Sequence, residues 1–161
     1  VLANGITTKV IAMNDQILSK VVILAAFIPL LIGTGGNVGA QSSTVVIRGL
    51  STQKIKSLGA FKAILKETFT GALLGVLMLF VVIPFAWWQG NGPVIGLAVG
   101  ISLISITTLA ATAGALLPLM FDKMGLDPAL MSSPFIATVT DIAGVFIYLN
   151  TATWLLANSN L

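Results

Sequence analysis

Asp141 is the one ionisable side chain set deep in a long apolar run, Ser133-Pro-Phe-Ile-Ala-Thr-Val-Thr-Asp141-Ile-Ala-Gly-Val-Phe-Ile-Tyr148. In a membrane helix a carboxylate costs about 2.5–3.5 kcal/mol on insertion scales, so such a group is kept for pairing, ion handling or proton handling. The chain has no His and no Cys, which removes imidazole bases, thiolate ligands, disulfides and the usual nucleophilic triads. A metal would therefore meet only oxygen: carboxylates, amides, hydroxyls, carbonyls and water. That donor set suits magnesium, calcium or manganese.

A second unusual segment is Pro29-Leu-Leu-Ile-Gly-Thr-Gly-Gly-Asn-Val-Gly-Ala-Gln-Ser-Ser-Thr44. Pro29 removes a backbone donor, and Gly33, Gly35, Gly36 and Gly39 each lower helix propensity by about 1 kcal/mol relative to Ala. Bare backbone is tolerated at membrane depth where it is buried in protein or lines water. Two readings stay open: a kinked, tightly packed helix, or the wall of a polar path, on which Asn37 is then expected. For Asp141 the corresponding alternative is a protonated, structural acid tied to Thr138 or to an amide of the glycine-rich helix. A nucleotide loop is excluded, because no Gly-Lys-Ser/Thr follows the glycines.

Enzyme chemistry lacks its parts. An intramembrane aspartyl protease needs two carboxylates sharing a site, and only Asp141 lies deep in a span. Asp122 and Asp127 sit in a loop beside Lys123 and are expected to be solvated. Lys9 and Lys20 lie near helix ends and are expected to snorkel to the interface, which leaves no base for serine proteolysis. Eight scattered cations and a net charge of +3 give no nucleic-acid footprint. Neither enzymatic activity nor a bound cofactor is expected.

These residues must be positioned by helices in a bilayer. The 161 residues are 57% hydrophobic and 8% charged, against roughly 25% charged in a soluble domain, so the fold class expected is all-α, a polytopic membrane helix bundle. Apolar runs of about 20 residues predict five transmembrane helices, the first one incomplete. The first covers 1 to about 13. The second runs over about 21–48, a basic connector over 49–66, the third span over about 67–88, the fourth over about 93–120, and the fifth over about 129–157. The chain begins at Val1 without an initiator Met and is expected to be a piece of a larger protein. Five cations lie between Arg48 and Lys66 and none between Trp87 and Pro93, so the connector is expected on the cytoplasmic side. Asp141 then lies roughly 15 Å along the fifth span, near the midplane. Gly35/Gly39, Gly71/Gly75 and Gly96/Gly100 carry the spacing of close helix packing, which is the favoured role of the last two pairs.

The segment from Pro29 to Leu50 resembles the second helix of the transmembrane domain of MgtE-family magnesium channels. Gly125-Leu-Asp-Pro-Ala-Leu130, with an Asp eleven residues later, resembles that family's loop into helix five. The resemblance covers essentially the whole chain in span order. It implies a transmembrane ion-conducting domain over 1–161, without a soluble regulatory domain, assembling as a homodimer whose ion path is lined by helices two and five. Asp141 falls on the position that faces hydrated magnesium, Ala137 on one that offers a backbone carbonyl, and Ser133 on one where some members carry Asn.

The implied partners are magnesium, other divalent cations such as calcium and manganese, membrane lipids and a second copy of the chain, in the inner (plasma) membrane. Two carboxylates across a two-fold axis balance a +2 charge. Each attracts a dication by roughly 7 kcal/mol at about 4.5 Å and an effective dielectric near 20, before desolvation. That is too little to strip an ion that dehydrates reluctantly, so a hydrated ion is expected. Two rival functions remain open at this level: a secondary carrier exchanging the cation for sodium or protons, and a non-transporting membrane scaffold.

Overall fold

The protein's structure, a computed structural model, describes residues 22–158. It is all-helical: α1 (Val22–Ser51), α2 (Lys54–Leu58), α3 (Ala60–Trp88), α4 (Gly92–Lys123) and α5 (Pro128–Asn158). Among the described residues, α1, α3, α4 and α5 are long and apolar enough to cross a membrane. They correspond to the second to fifth predicted spans. The predicted partial span over 1–13, with Lys9 and Lys20, lies outside the described residues.

Helices of 29 to 32 residues are about 45 Å long, well beyond a hydrocarbon core of roughly 30 Å. The predicted ends nevertheless fall within about three residues of the observed ones, except at the start of α3. The largest correction is the connector predicted over 49–66. In the structure α1 continues to Ser51, α2 occupies most of the gap, and α3 begins at Ala60. Lys62 and Lys66 lower hydropathy but are good helix formers, so charge marks the membrane edge there without ending the helix. The break is made by Gly59 at φ 89°, a conformation that favours glycine.

The turn into α5 is equally local in origin. Gly125, at φ 73°, lets its N–H reach the Asp122 carbonyl at 3.1 Å while the Leu126 N–H reaches the Phe121 carbonyl at 3.0 Å. That pair of bonds is a Schellman closure of α4. Asp127 then caps α5, accepting the Ala129 N–H at 2.8 Å, and Pro128 takes the first helical position, where its missing donor is not needed.

α4 is the hub, packing on α3, α1 and α5. It carries no charge between Gly92 and Phe121, and its contacts are made by small residues. A Cβ added at Gly71 would lie 2.5 Å from both the Ala111 Cβ and the Thr107 carbonyl oxygen, so α3 sits directly on α4 there. Gly96 and Gly100 admit Ile83 and Leu79 of α3 in return. Without a hydrophobic drive between helices in lipid, such close approach is what holds them together. The Thr107, Thr108 and Thr112 hydroxyls each donate to a carbonyl four residues back, at 2.6–2.8 Å, so none of these three is stranded.

Candidate functional site

Ser133, Ala137 and Asp141 are spaced by four residues on α5 and so share one stripe of the helix. The adjoining stripe, Ser132, Ile136 and Thr140, is buried against the bundle. Ser133 and Ala137 are exposed and Asp141 is half-buried. α1 is divided in the same way. Gly35, Val38, Gly39 and Ser42 are buried, while Gly33, Asn37, Ala40 and Thr44 are exposed.

Glycine fixes how the two helices meet. A Cβ at Gly35 would stand 2.7 Å from Ile106 Cγ2 and 3.6 Å from Thr140 Cβ, and one at Gly39 would stand 2.5 Å from Ile136 Cγ2. Gly35 is thus level with Thr140 and Gly39 with Ile136, an antiparallel register. In that register Asn37 is level with Thr138, between Ala137 and Asp141. On the open stripe the glycines do something else: a Cβ at Gly33 or Gly36 would meet nothing within 4 Å. Backbone is uncovered there.

Between the open stripes lies a cavity of about 190 Å³, walled by Gly36, Ala40, Ser43 and Thr44 of α1 and by Ser133 and Ala137 of α5. The structure therefore brings Ser133 and Ala137 to one polar recess. Asp141 and Asn37 are not in its wall: Asp141 lies one turn further along α5, and Asn37 projects from the exposed side of α1. Thr138, the partner considered for a structural Asp141, donates its hydroxyl instead to the Pro134 carbonyl at 2.9 Å. Among the described residues neither Asp141 nor Asn37 has a side-chain hydrogen bond or ion pair. Thr140 Oγ1, shared between the carbonyls of Ile136 at 2.9 Å and Ala137 at 3.1 Å, donates to the Ala137 carbonyl from its buried side.

Among the described residues no three His, Cys, Asp or Glu side chains gather where they could hold a metal. Among the described residues this face carries a single carboxylate, Asp141, with hydroxyls, an amide and carbonyls around it. Such a surface can hold a hydrated cation through water and is poorly suited to binding a bare one.

Two residues of weight escape a reading of hydropathy. Glu67 is buried on α3, where its carboxylate accepts the Ser42 hydroxyl of α1 at 2.9 Å. The signal was its spacing: Ala63, Glu67, Gly71 and Gly75 recur every four residues on the buried face of α3. Tyr148 is fully buried, and its hydroxyl donates to the Leu24 carbonyl at 2.9 Å, tying α5 to α1. It is the single Tyr of the chain, and a buried phenol needs a partner.

Residues 28–151 match the sequence model of the MgtE family, described as a divalent cation transporter. The chain is 38% identical over 156 residues to the magnesium transporter MgtE of Thermus thermophilus, covering 97% of this chain and 34% of that protein. It is 39% identical over 147 residues to the magnesium transporter MgtE of Enterococcus faecalis, covering 91% and 32%. With that of Bacillus subtilis the identity is 35% over 149 residues, covering 92% and 33%. The chain spans about a third of the length of these curated relatives.

Proposed function

Because the chain belongs to the MgtE family of divalent cation transporters, we propose that it moves magnesium across the inner (plasma) membrane through a path at the two-fold axis of a homodimer, lined by α1 and α5. The observation that carries this reading is the pair of open stripes. A helix face bearing a carboxylate, hydroxyls, an amide and bare glycine backbone is costly against lipid and is useful against water and a cation. In the proposed dimer two such faces meet.

Two Asp141 carboxylates balance the dication and hold it through its hydration shell. Asn37, level with Thr138 in the register of α1 and α5, is assigned to the path beside them. The Ala137 carbonyl and the Ser133 hydroxyl continue the polar wall for two turns toward the cytoplasmic end. Water-mediated holding keeps the ion bound tightly enough to enter and loosely enough to leave. Calcium and manganese share the same oxygen chemistry and are expected to compete.

The test is magnesium flux into liposomes carrying the protein, read with an internal magnesium dye, against Asp141→Asn. Asn is isosteric, so the bundle folds, and flux is expected to fall by at least about tenfold, the effect of losing about 1.4 kcal/mol of ion attraction. Wild-type flux from a folded Asp141→Asn dimer would remove Asp141 from the path. Flux that requires an opposing sodium or proton gradient would replace the pore by a carrier.

A further inference from the structure

α1 and α3 touch only sparingly, and the cleft between them is not part of the ion path described above. Its cytoplasmic end is a cavity of about 450 Å³ whose wall includes Arg48, Lys54 and Lys66. Val45, Lys66 and Glu67 also line a second cavity of about 280 Å³, which continues between Val38 of α1 and Leu74 of α3. The cleft therefore has a cationic mouth and, leading away from it, a run in which Val38, Val45 and Leu74 alternate with the neutral polar side chains Gln41, Ser42 and Thr70. Three cations stand against one acid, Glu67, which accepts the Ser42 hydroxyl, so the mouth carries a net positive charge.

We propose that this cleft is a binding site for one anionic glycerophospholipid of the cytoplasmic leaflet. The phosphate sits among Arg48, Lys54 and Lys66, and an acyl chain lies along Val45 toward Val38 and Leu74. The dimensions agree. Ten residues of helix separate Arg48 from Val38, about 15 Å, which is the depth of one leaflet's hydrocarbon. The polarity agrees as well, because basic pockets between membrane helices on the cytoplasmic side suit anionic head groups. The cleft opens where lipid is at hand: Val45 and Leu58 in its wall are exposed apolar side chains.

Native mass spectrometry of the purified chain, mixed with phosphatidylglycerol or phosphatidylcholine of identical acyl chains, tests the site. One phosphatidylglycerol per protomer is expected to be retained at least about tenfold better than phosphatidylcholine, since each cation near an anionic head group is worth roughly a factor of five. Millimolar inorganic phosphate is expected not to displace it; displacement would make the site one for free phosphate and overturn the lipid assignment. The variant Arg48→Gln/Lys54→Gln/Lys66→Gln is expected to lose the preference, while Lys62→Gln/Lys123→Gln keeps it. Val45→Trp, at a position 53% exposed and hence tolerant of bulk, fills the run with the cations intact and is expected to lose retention while its circular dichroism stays that of the wild type. Equal retention of the two lipids, an unchanged preference in the triple variant, or cross-linking of the cleft to a second copy would each overturn the proposal.

Discussion

At the scale of single residues, cost follows from what a buried polar atom is left facing. Tyr148→Phe removes the donor to the Leu24 carbonyl and nothing else, so it is expected to destabilise the folded protein by about 1 kcal/mol, read as a lower unfolding temperature in detergent. Ser42→Ala is harsher, because it leaves the buried Glu67 carboxylate without its donor, at about 1–3 kcal/mol. Replacing both partners, as Ser42→Ala/Glu67→Met, is expected to recover most of that loss in the same melting assay. Recovery would identify the pair as a packing device, whereas loss of magnesium flux in a stable double variant would give Glu67 a part in transport.

At the scale of elements, the glycine-rich helix packs with one face and lines the proposed path with the other, and substitution separates the two. Gly39→Val drives a branched side chain into Ile136 and the Ala110 carbonyl, and is expected to cost about 1–3 kcal/mol or more, seen as poor recovery of folded protein. Gly36→Ala meets nothing within 4 Å and gains up to about 1 kcal/mol of helix propensity, so folding is expected to hold or improve. Its methyl covers backbone in the recess with Ser133 and Ala137, and flux in liposomes is expected to fall. A fall in stability together with unchanged flux would reverse the assignment of the two faces. Which glycine sits on which face was not readable from the run of residues. The motif allowed both packing and path, and the choice depends on where α4 and α5 lie.

At the scale of the whole molecule, orientation rests on where the cations fall. Arg48, Lys54, Lys62 and Lys66 gather at the end of the bundle where α1 closes and α3 begins, and the α3–α4 turn at the other end carries none. The natural absence of cysteine makes this directly testable. A single Lys62→Cys is expected to react with a membrane-impermeant maleimide only from the cytoplasmic side, and a single Asn91→Cys only from outside. The opposite pattern would invert the bundle and move the proposed lipid site to the outer leaflet.

Composition, the placement of charge and the order of apolar runs determined that this is a multi-pass helical membrane protein, and the four described spans follow from hydropathy because a bilayer leaves a chain few alternatives. The same local chemistry marked Asp141 as the costly group and Gly125-Leu-Asp-Pro as the turn into α5. The tertiary structure alone decided the faces. It buried Glu67 against Ser42, spent Tyr148 on Leu24, extended α3 back to Ala60, and put Ser133 and Ala137 in one recess with the bare side of α1. The residues limit what each position can offer, but lipid supplies no hydrophobic drive to tell one apolar helix face from another, and close packing of small residues selects which of them turns inward.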